Sequence, residues 1–496
     1  MKKAIALMLA LTTVLSLSAC KGKESKKAKN DIPHEQPFSG NAAYVPYADG
    51  EFTSKYDKEA DKLREEILNM KDSKPTTELV YYISYRGNDE NDGLSAKTPW
   101  ATTANLVAVP ENSTVLFERD GVYRTSGIDM KSNTFYGAYG EGPKPCIYGS
   151  LQNYADESLW TQYSDNLWKI ELDNASDVGN IIFDNGKMAA QRVYNKERLT
   201  QDYMYLYGNN TVFLYLSKGN PGALHEDIEI TMLGNGAVFK GKWQLTNVTL
   251  ENLCIKYGNF GIQAGANNKG VTVRGCEIGY IGGCTAESKI YRWGNGIEFW
   301  GSCNDATVEK CWVYQCYDAG VTNQCSEPTT MDNIKYDNNL IEFCQNPIEF
   351  FHRPGATTKN IFYTNNILRF AGYQVFDPKE RHGSDSSHTA LILTYWQKKY
   401  TVENFIIENN ILDTSYGYLL GGDCFNTSGG ITVRNNSYYQ QTGLKTFFFE
   451  TDKNKIVPSV AKLEDGIVYT AQSKAELEKG VAKVDSSPKA VDFQSK

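Results

Sequence analysis

Histidine is scarce in this chain, with five in 496 residues, and the eleven cysteines form no CxxC pair and no His-rich spacing. A structural zinc site needs such clusters, so no metal or other cofactor is expected from the pattern. A basic surplus is missing too. The formal net charge is −8, and a nucleic-acid partner, which requires a basic surface, is not expected. Long amphipathic helices are few, and the leucine spacing of a leucine-rich repeat is absent. The apolar run Ala4 to Leu15 is too short for a stable membrane span. What the chain does have is 32 tyrosines, 42 glycines and many asparagines, a composition of short strands and many turns. Its length allows several ordinary domains or one long repetitive one.

Residues 1–20 read as a targeting segment: Lys2 and Lys3, the apolar core, then Leu17-Ser18-Ala19-Cys20. The last four resemble a bacterial lipobox. That resemblance implies cleavage before Cys20, lipid attachment to its thiol, and a lipid-anchored protein on the extracytoplasmic side of the cell membrane. Residues 21–54 are polar and read as a tether. Ten cysteines remain, several inside apolar strand patterns, where a free thiol packs as a small hydrophobe. Buried thiols are expected, with a Cys303–Cys325 disulfide left open.

Between residues 247 and 450 a motif recurs: alternating apolar residues, a small or polar pair, then another apolar stretch. The pair is Asn338-Asn339, Asn365-Asn366, Asn409-Asn410 and Asn435-Asn436, with Cys276 and Cys311 in the second place of two further copies. Adjacent pairs lie mostly 23 to 28 residues apart, with longer steps of 35 and 44. A period near 25 with insertions means stacked coils. Asparagine tolerates the left-handed turn conformation, and stacked amides can hydrogen-bond from coil to coil. The expected fold is all-β: a right-handed parallel β-helix solenoid with a small inserted β subdomain and an N-terminal helical segment. Residues 55–78 form the helical cap and 79–150 start the solenoid. Residues 151–235 are the insert, 236–455 the solenoid core with a groove, and 456–496 a tail.

The stretches 81–102 and 113–124, then 136–150, then 180–195 with 203–222, resemble the pectin-lyase-like β-helix superfamily and its carbohydrate-active members. The resemblance covers roughly residues 79–450. It implies a polysaccharide or oligosaccharide partner and a monomer. It does not choose among glycosidases, lyases and adhesins, because one architecture hosts many functions.

Aligning the strand after the Asn turn gives a register. Ile262, Ile297, Val321, Ile348, Leu393 and Leu419 are expected inward. Gln263, Glu298, Thr322, Glu349, Thr394 and Leu420 follow, outward. A second outward column holds Trp300, Gln324, Phe351, Trp396 and Gly422. A polar stripe beside an aromatic one suits a sugar, whose C–H faces stack and whose hydroxyls need directed partners. The long steps place insertions before this strand, at about 280–293 and 373–388. The second carries Arg381 and His388. Asp318 precedes the same strand in the coil between Glu298 and Glu349.

Glu298, Asp318 and Glu349 are therefore the candidate catalytic carboxylates, and Trp300, Gln324, Arg353, Arg381, His388 and Trp396 the candidate substrate-binding residues. A glycoside hydrolase would use the carboxylates as acid, base or nucleophile. A polysaccharide lyase would instead bind Ca²⁺ through them and take a proton with Arg292, His352, Arg353 or Arg381. A non-catalytic glycan-binding solenoid is the third reading.

Overall fold

Each turn of the chain is set by the residue that starts the Asn pair. In the computed structural model Asn338, Asn365, Asn409 and Asn435 all have positive φ, between 55° and 58°. That backbone costs asparagine little. The second residue of each pair points inward and is buried. Its side-chain oxygen accepts from the main chain of the preceding coil. Asn366 Oδ1 takes Asn339 N at 3.0 Å, Asn410 Oδ1 takes Asn366 N at 2.9 Å, and Asn436 Oδ1 takes Asn410 N at 2.8 Å. Each amide nitrogen also donates to a carbonyl, as Asn366 does to Tyr336 O at 2.8 Å. The amide ladder expected from the repeat is present. Replacing Asn366 with leucine removes several of these bonds in a place water does not reach. We expect a loss of about 3 kcal/mol or more, read as a lower denaturant midpoint.

The structure describes residues 35, 54, 56–74, 77–285, 292–325, 329–353, 355–376, 389–395, 401–422, 431–440, 447–450 and 456–458. Cys20, the tether apart from Glu35 and Ser54, the 377–388 segment with Arg381 and His388, Trp396, and the tail beyond 458 lie outside them. From residue 246 the chain visits three sheets in strict rotation. Thr246–Glu251 belongs to sheet I, Cys254–Lys256 to sheet II and Phe260–Ala264 to sheet III, and the next coil repeats the order. Sheets I and II have ten and nine strands. Sheet III has ten, all parallel except its last pair, Phe447–Glu450 with Ile456–Pro458. The result is a parallel β-helix, in the right-handed form that parallel crossovers adopt. Its interior is one continuous stack in which Ile255, Ile278, Val313, Ile341, Leu368 and Leu412 form one file.

The corner from sheet II to sheet III is tight. A Cβ on Gly296 would meet Gly320 O at 2.6 Å and Cys316 Sγ at 2.9 Å, so no larger residue fits there. Three departures from the solenoid leave at this one corner. The segment between Cys146–Tyr148 and Ala237–Lys240 builds a five-stranded and a three-stranded sheet around Trp160, Ile181, Phe183, Leu214 and Ile230. The other two are the insertions anticipated at 280–293 and 373–388, each between a sheet II strand and a sheet III strand. The sequence spacing revealed two of them. The first interrupts the repeat before its period is established.

Helix α1 (Asp57–Leu68) covers the outer face of sheet II. Ala60, Leu63 and Ile67, one helical stripe, pack with Trp312, Tyr314, Leu340 and Ile367. The nine described cysteines are buried thiols outside any disulfide, so the Cys303–Cys325 bridge is absent.

Candidate functional site

Sheet III carries the site, on β1 (Phe260–Ala264), β2 (Ile297–Trp300), β3 (Ala319–Cys325), β4 (Asn346–His352), β5 (Ala390–Tyr395) and β6 (Tyr418–Gly422). Gln263 pairs with Glu298, Glu298 with Thr322, and Thr322 with Glu349, as the alternation anticipates. Beyond β4 the expected register is wrong by one residue. Ile348 pairs with Ile392 and Ile392 with Leu420, so Leu393 and Leu419 do not hold the inward file. Leu393 and Gly421 continue the outward column, while Thr394 pairs with Phe350 and Leu420 lies inward. Tyr395, not Trp396, stands beside Phe351, and Gly422 follows Thr394 rather than the aromatic column. The runs Leu391-Ile392-Leu393 and Leu419-Leu420 are apolar on both faces, so alternation could not select their parity.

The column also runs further toward the N-terminal coils. Lys240 pairs with Gln263, and Asp129 with Lys240. Six polar residues thus follow one another in adjacent coils, Asp129, Lys240, Gln263, Glu298, Thr322 and Glu349, until Leu393 ends the file. Sequence reasoning missed the first two because the inserted subdomain separates them from the repeat. Their only signal was alternation inside very short strands.

The three carboxylates are nearly buried although they belong to an outward face. Glu298 and Asp318 are 5% exposed and Glu349 is 6%. Gln263 Nε2 donates to Glu298 Oε2 at 3.0 Å, and Asn295 bonds the same carboxyl. Burial pushes Glu298 up to about 7, Asp318 adds to the rise, and the Gln263 and Asn295 bonds oppose it. Glu349 Oε2 accepts from Thr322 Oγ1 at 3.1 Å and Gln324 Nε2 at 3.3 Å. Asp318 stands at the II–III corner, upstream of the glutamate column. Its N–H donates to Gly294 O at 3.1 Å, and its carbonyl accepts from Asn346 N at 3.2 Å. It therefore lies on the same corner as the three departures, one coil after the insertion that precedes β2.

Asn295 and Asn346, the first residues of the near-identical strings NGIEF and NPIEF, have equivalent roles. Their Oδ1 atoms accept Ala319 N at 3.0 Å and Ala390 N at 2.9 Å. Each ties the start of its strand to the next coil. Asn295 also reaches Glu298, which the sequence did not reveal.

Trp300 and Phe351 are half-buried, and Gln324 lies between them in register. Arg353 follows β4 and is exposed. Trp293, on the insertion before β2, is 42% exposed and was not anticipated as part of this face. Two of the bases considered for a lyase are corrected. His352 lies inside the solenoid, stacked on Phe350 with ring centroids 3.9 Å apart and 3.4 Å from Asn323 Nδ2, and burial lowers it to about 3. Strand parity sends it inward, three residues after the outward Glu349. Arg292 is buried, donates to Gly283 O at 2.5 Å and Gly179 O at 3.1 Å, and lies over the Tyr317 ring. It braces the insertion against the subdomain. Among the described residues no group of three His, Cys, Asp or Glu is arranged to hold a metal ion.

No family profile and no curated protein sequence matches this chain. Solved structures of similar shape include a complex of XylC with xylose, at 12% identity and TM-score 0.45, over 76% of this chain and 73% of that one. A structure described as a glycoside hydrolase has 10% identity and TM-score 0.44, over 74% of this chain and 94% of that one. Pectate lyase Pel9A has 14% identity and TM-score 0.40, over 84% of this chain and 89% of that one. Likeness at this level leaves the reaction to be argued from the residues of this chain.

Proposed function

We propose that the chain hydrolyses glycosidic bonds on the outer face of sheet III, with Glu298 as proton donor and Glu349 as base. The observation that carries this reading is the burial of three carboxylates in adjacent coils of a face whose other polar members can bind hydroxyls. A carboxylic acid that stays protonated near neutral pH is what a leaving glycosidic oxygen requires. Water attacks the anomeric carbon and its proton passes to Glu349. The C–O bond breaks, and the departing oxygen takes the proton of Glu298. Glu298 and Glu349 are two strand spacings apart, about 10 Å between backbones. That spacing is nearer the separation of about 6.5–9.5 Å that leaves room for a water and inverts the anomeric centre than the about 5–5.5 Å of a retaining pair. Asp318 acts on Glu298 through its charge. Trp300 and Phe351 supply stacking faces, and Gln324 a directed donor.

A second reading has one observation in its favour. Lys240 lies in the same column, two coils from Glu298, and a lysine there suits a uronate and β-elimination. A panel of neutral and acidic glycans separates the alternatives. New reducing ends without ultraviolet absorbance from an unsaturated uronate mean hydrolysis. Both signals together mean elimination, and binding without either means a non-catalytic solenoid. We expect the first result, with Glu349→Gln lowering turnover at least about 100-fold and Asp318→Asn lowering it less, through its effect on Glu298. Full turnover in both variants would remove the site assignment.

A further inference from the structure

The inserted subdomain has a cleft of its own, apart from sheet III. Residues 193–199 cross one face of its five-stranded sheet. Val193 and Leu199 plug into that face beside Leu167, Met204 and Phe213 and hold the segment at both ends. Tyr194, between those anchors, is left 58% exposed. An exposed tyrosine on a surface turn is ordinary by itself. Here its environment is built. The Arg192 guanidinium lies over the ring, 5.2 Å from its centroid. Arg192 in turn is pinned by both oxygens of Asp177, at 2.7 and 2.8 Å, and by Val178 O at 2.8 Å. One ring face thus carries a fixed cation. The ring borders a cavity of about 370 Å³ whose wall includes Gln191, Glu197, Arg198 and Thr200. That volume falls in the range of small-ligand sites. A flat aromatic face exposed beside donors and acceptors matches a pyranose ring, which offers C–H groups on its face and hydroxyls at its rim.

We propose that this cleft is a second saccharide-binding site, with Tyr194 as its stacking platform and Arg192 and Asp177 as positioning residues. It takes a sugar unit of a longer glycan and contributes affinity without chemistry. The site is braced to the catalytic face through Asp177, whose Oδ2 also accepts Thr285 N at 2.5 Å. Thr285 pairs with Arg292 across the insertion that leads into β2, the strand of Glu298. The ligand class rests on the glycan reading above, while the cleft itself does not depend on it.

The test is retention of the full chain carrying Glu298→Gln, which stops turnover, in native gels cast with xylan, polygalacturonate, alginate or mixed-linkage β-glucan. At least one polymer is expected to retard it. Adding Tyr194→Ala should weaken that retention about tenfold, whereas Tyr194→Phe, which keeps the ring, should leave it unchanged. Retention indifferent to Tyr194→Ala, or retention by none of the polymers, would overturn the proposal. Tyr194-dependent retention in a chain whose wild type cleaves none of these polymers would keep the cleft and discard the hydrolase.

Discussion

Glu298→Gln is expected to lose activity by about 10²–10⁴-fold while becoming more stable than the wild type above pH 7. Both effects come from one displaced equilibrium. Burial raises the Glu298 carboxyl to about 7, with Asp318 adding to the rise. The folded chain therefore holds a proton that the unfolded chain releases at lower pH. Stability from this group is complete below the ordinary carboxylate range and declines as pH climbs toward 7. Above that, the folded state carries a buried, ionised Glu298 at a cost of up to about 3 kcal/mol. Glutamine keeps the partners of the neutral acid and cannot ionise, so the variant avoids the cost. Catalysis follows the same titration in the same direction. Only the protonated form donates, and activity should fall as pH rises through about 7. In Asp318→Asn the charge that helps hold the proton is gone, so this alkaline limb should move to lower pH. Activity profiles and denaturant midpoints at pH 5 and pH 8.5 check both halves. A Glu298→Gln chain with wild-type turnover, or no stability gain at the higher pH, would contradict this account.

Arg369→Met is expected to cost about 3–5 kcal/mol, the largest loss of stability from one substitution outside the solenoid interior. In register, Arg369 stands between Glu342 and Asp413, one coil to either side on the outer face of sheet II. All three are nearly or fully buried. The guanidinium donates to Asp413 Oδ2 at 3.2 Å and lies 3.6 Å from Glu342 Oε2, and it also reaches Asp57 at the start of α1. Glu342 is further bound by Arg64 of the helix at 2.8 Å and by Trp312 Nε1 at 2.9 Å. Methionine fills much of the volume but takes this cation from Asp413, while Glu342 keeps Arg64. A buried pair adds little over apolar residues, yet losing one member is costly because the other stays charged and dry. Arg369→Met should therefore be less damaging in an Asp413→Leu background. Loss of the Asp57 contact should also expose α1 to limited proteolysis earlier than in the wild type.

The two faces show why similar chemistry ends differently. Sheets II and III both present charged residues outward. On sheet II the helix covers them, and each finds a counter-charge in the next coil. On sheet III Glu298 and Glu349 find amides and a hydroxyl, partners that a sugar hydroxyl can replace. No local feature of the sequence separates the outward Glu342 of one sheet from the outward Glu349 of the other. The helix that separates them begins almost three hundred residues earlier.

The repeat was legible because its cause is local. An asparagine that accepts positive φ, followed by one whose amide reaches the next coil, recurs wherever the chain must turn, and period-two alternation assigns parity while polar and apolar residues take turns. The glutamate column from Gln263 to Glu349 could be read on that basis alone. Where Leu391-Ile392-Leu393 and Leu419-Leu420 are apolar on both faces, alternation carries no information, and hydrogen-bonded pairing decided the register. The tertiary structure alone decided that the inserted subdomain leaves at the same corner as the two later insertions, and that Asp129 and Lys240 extend the column across it. These are relations between residues distant in sequence, set by stacking of coils, and no short window of the chain contains them.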